Sequence, residues 1–423
     1  MLASALAVSV PLTLTAAAAA AAPSAPPGPP AAPPGGPLVL PANSTDHLVE
    51  ELRDDVVAYY DFSSPVPGDP ATERDQGPSG TDLWLVNGGL GMRTDDGAYP
   101  ASLGSVQTRQ VAPDTAGNDD WKVGVFAADG VASLRPFNAT DAVTIMGWFQ
   151  ATGDHPKLNS NTPDPDDRFN AVGLAGVLSG DSDGHGVRAL LEIIDVDGEL
   201  RLVGLARRLD HQPSNILYAL DDWEELLPRD TWVHLTATFD FTTGEMALYK
   251  DGEPLDAAYT RDDDPWEVEG DGPHRTSPTD PAGIKIGGSY PQNTREQNPC
   301  DCRFDALLFL DRVVTPDEVA AQYAAFVDAP VADRELPAGR TVPVRADLGG
   351  HPTAEVTSHA VSCADGRRLG DDAAIVTGGT PRTTPDGVLR TTWRTDRDWA
   401  GTCRQLAVTT DDGTVLATRV AFR

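Results

Sequence analysis

The sequence predicts an all-β protein, a large sandwich or jelly roll followed by a second, smaller β-sandwich. Three observations carry this. Short runs of β-branched, aromatic and aliphatic residues recur along most of the chain, separated by clusters of Gly, Pro, Asp and Asn. Helical periodicity is scarce. A 423-residue chain is also long enough for two or three domains, each with its own core.

The first 45 residues contain no charged side chain, and residues 2–22 are almost wholly small and apolar. Residues 1–22 therefore read as a signal peptide with Ala-x-Ala cleavage sites, and residues 23–45 as a Pro-rich spacer. A membrane anchor is the competing reading, but the run is rich in Ala and interrupted by Pro11. No other segment approaches the roughly 20 apolar residues that span a bilayer. The expectation is a secreted, extracellular protein with no membrane insertion.

Charge is unevenly placed. Residues 331–423 carry 12 acidic and 12 basic side chains, so the net charge of −32 falls entirely between Asp46 and Pro330. Such a field repels phosphates, which argues against nucleic acid as a partner.

In order along the chain, the clearest strands are predicted over Val56–Tyr60 and residues 143–149, 189–194, 200–205, 232–239, 246–249, 284–286 and 306–309. Two hairpins stand out. Asp195-Val196-Asp197-Gly198 joins the third and fourth of the longer runs, and Lys250-Asp251-Gly252 follows the run at 246–249, each with a Gly suited to positive φ. One helix is predicted from the capping box Thr315-Pro316-Asp317-Glu318, with Val319, Tyr323 and Phe326 as its apolar stripe. The polar stretches 154–170 and 262–281 read as surface excursions. A boundary falls near 328–337, and strands at 341–346, 356–362, 391–394, 405–409 and 416–422 build the second sandwich.

The order of these segments resembles the laminin-G-like branch of the concanavalin A-like lectin/glucanase superfamily. The opening strand Val57-Ala58-Tyr59-Tyr60-Asp61-Phe62 carries the resemblance, as does Val143-Thr144-Ile145-Met146-Gly147-Trp148-Phe149, with Trp148 expected in the core. Its most specific part is Trp232-Val233-His234-Leu235-Thr236-Ala237-Thr238-Phe239-Asp240 and the hairpin after it. The resemblance implies a jelly roll over residues 46–328. Residues 336–423 resemble the PxKF module of secreted bacterial proteins, through Thr341-Val342-Pro343-Val344-Arg345-Ala346 and Thr392-Trp393-Arg394 to Cys403. Arg345 and Ala346 stand where that module has its Lys and Phe. A small Ig-like β-sandwich is the implied fold.

The superfamily includes glucanases, which set paired carboxylates along one strand about 5–5.5 Å apart. The nearest stretch here, Glu192 to Glu199, has the wrong spacing and contains a turn at Asp197-Gly198. The reading is therefore a non-catalytic binding protein with carbohydrate or a cell-surface protein as partner; a glucanase-type glycoside hydrolase and a structural adhesion or spacer module are the alternatives. Trp223 and Trp266, both in acidic loop-like contexts, are the candidates for stacking on sugar rings, against the simpler role of pinning loops. The resemblance implies a structural calcium held by Asp75 and Asp305 with Asp61 nearby, since first and last strands lie together in this fold. Export permits disulfides. Cys363 and Cys403 are expected to pair; Cys300 and Cys302 are expected to form a tight Cys-x-Cys ring or to stay reduced.

Overall fold

The computed structural model describes residues 37–40, 47–113, 117–155, 157, 171–179, 188–207, 214–261, 279–288, 298–332, 334–351, 354–370, 374–375 and 382–423. The protein is an all-β sandwich protein. Among the described residues, one sheet of ten strands and one of eight enclose the main core, and sheets of four and five strands enclose a second.

The strand Ala142–Ala151 shows how the sequence builds the first sandwich. It pairs antiparallel with Val233–Asp240 on one side and with Cys302–Leu310 on the other, and all of its residues are buried. A strand's side chains alternate between faces. Val143, Ile145 and Phe149 thus enter the core between the sheets, with Phe239, Phe304 and Phe309. Met146 and Trp148 point to the outer face. There they form a separate cluster with Tyr59, Leu308, Val319 and Phe326, beneath the helix Pro316–Val327. Trp148 is buried, as expected, and the core cluster it joins is the one under the helix.

Alternation in Cys302–Leu310 is reset by a bulge. The register slips between Asp305 and Leu308, and Ala306 takes a positive φ of 46°. The opposing residue is Gly147, where a Cβ would sit 2.4 Å from Leu307 Cδ2, so only glycine lets the bulge approach.

Both predicted hairpins form. Asp197 (φ 56°) and Gly198 (φ 88°) make a two-residue loop between the paired Val196 and Glu199; Asp251 (φ 51°) and Gly252 (φ 87°) do the same between Lys250 and Glu253. The helix begins as its sequence indicates. Thr315 Oγ1 accepts from the Glu318 N–H, and Glu318 returns a bond to the Thr315 N–H.

In the second sandwich, Thr341–Asp347 pairs with Val388–Arg394, and Cys403–Thr410 lies between Ala354–Val361 and Val415–Phe422. Trp393, Phe422, Leu406 and Val408 fill its interior. Two differences from the sequence reading appear here. Leu38–Leu40, inside the expected spacer, pairs in parallel with Thr341–Asp347 and buries Leu38 and Leu40 in this core. Arg334–Leu336, inside the expected boundary, pairs in parallel with Val415–Phe422. Each strand is only three residues long, so its pairing depends on a partner distant in sequence. The signal-peptide residues 1–22 and the spacer up to residue 36 lie outside the described residues. Among the described residues, no helix is long and apolar enough to cross a membrane.

Candidate functional site

Trp223 opens a one-turn helix, Trp223–Leu226, capped by Asp222, whose carboxylate accepts from the Glu224 N–H at 2.8 Å. Leu226 and Leu227 are buried beneath that turn and Trp223 is half-buried, its ring packed on the main core. The indole therefore does pin the loop. It also borders a cleft of about 400 Å3, which His155, Glu199, Arg201, Asp222 and Glu224 line as well. Arg201 is fixed by bonds to the carbonyls of Leu220 (2.6 Å) and Asp221 and by an ion pair with Glu199. The His155 ring meets Trp223 edge-on, with centroids 6.4 Å apart. An aromatic wall with a fixed guanidinium and carboxylates around it can stack on one face of a sugar ring and hold its hydroxyls. Trp266 lies outside the described residues.

The three expected calcium ligands do not come together. Among the described residues, the groups of three His, Cys, Asp or Glu donors within 4.8 Å of one another include none of Asp61, Asp75 and Asp305. Their oxygens have other work. Asp75 accepts from the N–H groups of Tyr59 (2.9 Å), Gly77 (2.7 Å) and Thr81 (3.1 Å) and from the Ser79 hydroxyl, which fastens its loop to the opening strand. Asp61 accepts from the Ser63 N–H and the Ser64 hydroxyl. Asp305 is fully buried; one oxygen accepts from the Ala98 N–H (2.8 Å) and the Ser102 hydroxyl (2.6 Å), and the other has no partner among the described residues. Burial pushes its carboxyl up to about 7, and the Asp61 charge adds to the shift, so the group becomes neutral just below that pH. The donor set does not fit one calcium ion bound by all three residues.

The four cysteines form two disulfides. Cys363 joins Cys403 and Cys300 joins Cys302, each with Cα atoms 5.2 Å apart. His155 lies beside the second pair, its ring within 4.8 Å of both sulfurs. With the disulfide formed, that group offers a metal imidazole nitrogen rather than thiolates. In the stretch weighed as a glucanase motif, Glu192 is buried and accepts from Asn298 Nδ2 at 3.0 Å, whereas Asp195 accepts from the Gly198 N–H of the hairpin loop. Their side chains serve separate local structures.

Sequence reasoning missed a second cleft, of about 510 Å3, on the outer face of the eight-stranded sheet. Its floor is a cross-strand row: Gln150 is the register partner of Arg303, and Arg303 that of Gln107. The alternation that places Met146 and Trp148 beneath the helix puts Gln150 next on the same face. Polar residues in that outward phase were the available signal, but their alignment across strands depends on a register the sequence does not display.

No family model matches the chain, and no curated protein does. Among solved structures, it aligns with Trypanosoma rangeli sialidase at 12% identity and a TM-score of 0.38, covering 64% of this chain and 32% of that one. It also aligns with the binding domain of botulinum neurotoxin DC in complex with SialylT, at 10% identity and a TM-score of 0.40, covering 85% and 73%. The chain thus spans about a third of the sialidase chains. At this level of likeness the alignments assign this protein no activity.

Proposed function

We propose that this is a secreted, non-catalytic carbohydrate-binding protein whose large sandwich engages a glycan at the Trp223 cleft. The observation that carries the reading is the half-buried indole bordered by a guanidinium held in place by two carbonyls and a carboxylate. Stacking on such a wall needs no rearrangement, so little ordering cost opposes binding. The second sandwich, which resembles the PxKF module, serves in this reading as a carrier for the first. The test is a glycan array followed by calorimetry on the best ligand. Trp223→Ala should weaken binding at least about tenfold, a loss of about 1.4 kcal/mol. Binding to no glycan, or undiminished binding by the variant, would remove the cleft from the account, and tight capture of a cell-surface protein instead would favour an adhesion module.

A further inference from the structure

We infer that the cleft on the outer face of the eight-stranded sheet is a separate site for a saccharide bearing a carboxylate, such as a uronic acid. Its polar groups divide into those already engaged and those left over. Arg303 donates through Nε to Gln107 Oε1 (3.1 Å) and pairs with Asp96. Gln107 in turn donates to Thr152 Oγ1 at 2.8 Å. Asp301 accepts from the Gln110 N–H at 2.7 Å and pairs with Lys157. These bonds fix the floor and walls.

Two groups remain. Gln150 is 6% exposed and lines the cleft, yet its amide has no hydrogen-bond partner among the described residues. The rest of the side chain is buried while the amide opens onto the cleft, so a ligand can replace the water there without moving it. An amide offers a donor and an acceptor side by side, the pattern that vicinal hydroxyls complement. Arg109 is the second. Its guanidinium lies over the Trp121 ring, 5.2 Å from the centroid, and has no carboxylate partner among the described residues. Stacking holds the planar fork in one orientation, and a fork so held matches a carboxylate bidentately. A neutral sugar would use Gln150 and leave Arg109 idle, whereas a uronate uses both.

This inference is independent of the Trp223 reading, and its test keeps the two apart. Trigalacturonate, neutral galactotriose and a triglutamate peptide are titrated by calorimetry into the full chain and into Arg109→Gln, Gln150→Ala and Trp223→Ala variants. Trigalacturonate should bind more tightly than galactotriose, with an affinity that falls as salt rises because Arg109 is exposed. Arg109→Gln should weaken it about tenfold or more, as loss of a charge-assisted pair does. Gln150→Ala should weaken it several-fold, and both losses should be of the same size when Trp223 is also replaced by Ala. A lack of trigalacturonate binding, binding insensitive to Arg109→Gln and Gln150→Ala, or equal affinity for triglutamate would each overturn the assignment.

Discussion

The two sandwiches fill their interiors differently. The central cluster of the smaller one is made of aliphatic residues with Trp393 and Phe422. The larger one buries Glu73, Arg188, His234, Lys285 and Asp305. Ionisable groups away from water are expensive, and replacing them with apolar residues is often neutral or stabilising. The smaller sandwich buries His359 and Arg419 but, among the described residues, no carboxylate, so it is the larger whose stability depends on buried carboxylates, and it also carries the Trp223 cleft and the polar row. The charge follows the same division, since the smaller sandwich is neutral and the larger carries the acid excess.

The largest loss is expected in the apolar core of the smaller sandwich. Trp393 is 1% exposed and packs against Phe422 and Trp399. Trp393→Ala should cost roughly 3–5 kcal/mol in denaturant unfolding, and a loss well below that would mean the core is not close-packed. Next comes the disulfide that closes this sandwich. Cys363 and Cys403 are 40 residues apart, and Cys363→Ser with Cys403→Ser should cost about 4 kcal/mol by the loop-entropy model. An unchanged midpoint would show that the strand ladder beside it, Val361 with Cys403, suffices alone.

The larger sandwich should respond to pH instead. Burial raises Asp305 to about 7, and burial raises Glu73 to about 8 despite its ion pair with Arg93. Unfolded, both titrate near pH 4, at about 3.9 for Asp and 4.3 for Glu. Between those limits the folded state holds protons that the unfolded state has released, so stability falls as pH rises and levels off above about 8. Asp305→Asn should flatten part of that slope, worth on the order of 1–3 kcal/mol between pH 4 and 8. The check is urea unfolding at several pH values. Identical slopes for both proteins would mean that Asp305 keeps its charge when folded. The smallest expected effect is that of calcium. Melts with calcium and with chelator should superimpose, because the three expected ligands are engaged in separate hydrogen-bonded loops.

Where a feature depends on neighbours in sequence, it was legible. The two hairpin turns, the capping box at Thr315 and the strand at residues 143–149 each follow from a few adjacent side chains, and each is present. Features that depend on distant partners were not. Leu38–Leu40 reads as spacer because three residues beside a Pro-rich tract say nothing of Thr341–Asp347, 300 residues on. The burial of Trp148 was readable, whereas the face it takes, under the helix, was not. The site divides in the same way. Trp223 stands out as an aromatic among acids, and the structure sets it in a cleft, whereas the row of Gln107, Arg303 and Gln150 exists only once three strands are in register.

The central claim is that the larger sandwich binds a glycan at the Trp223 cleft. The most direct measurement is calorimetric titration of the best array ligand into the full chain and into Trp223→Ala, with circular dichroism confirming that the variant is folded. Saturable binding is expected, weakened at least about tenfold in the variant. Equal affinity in the two folded proteins would contradict it.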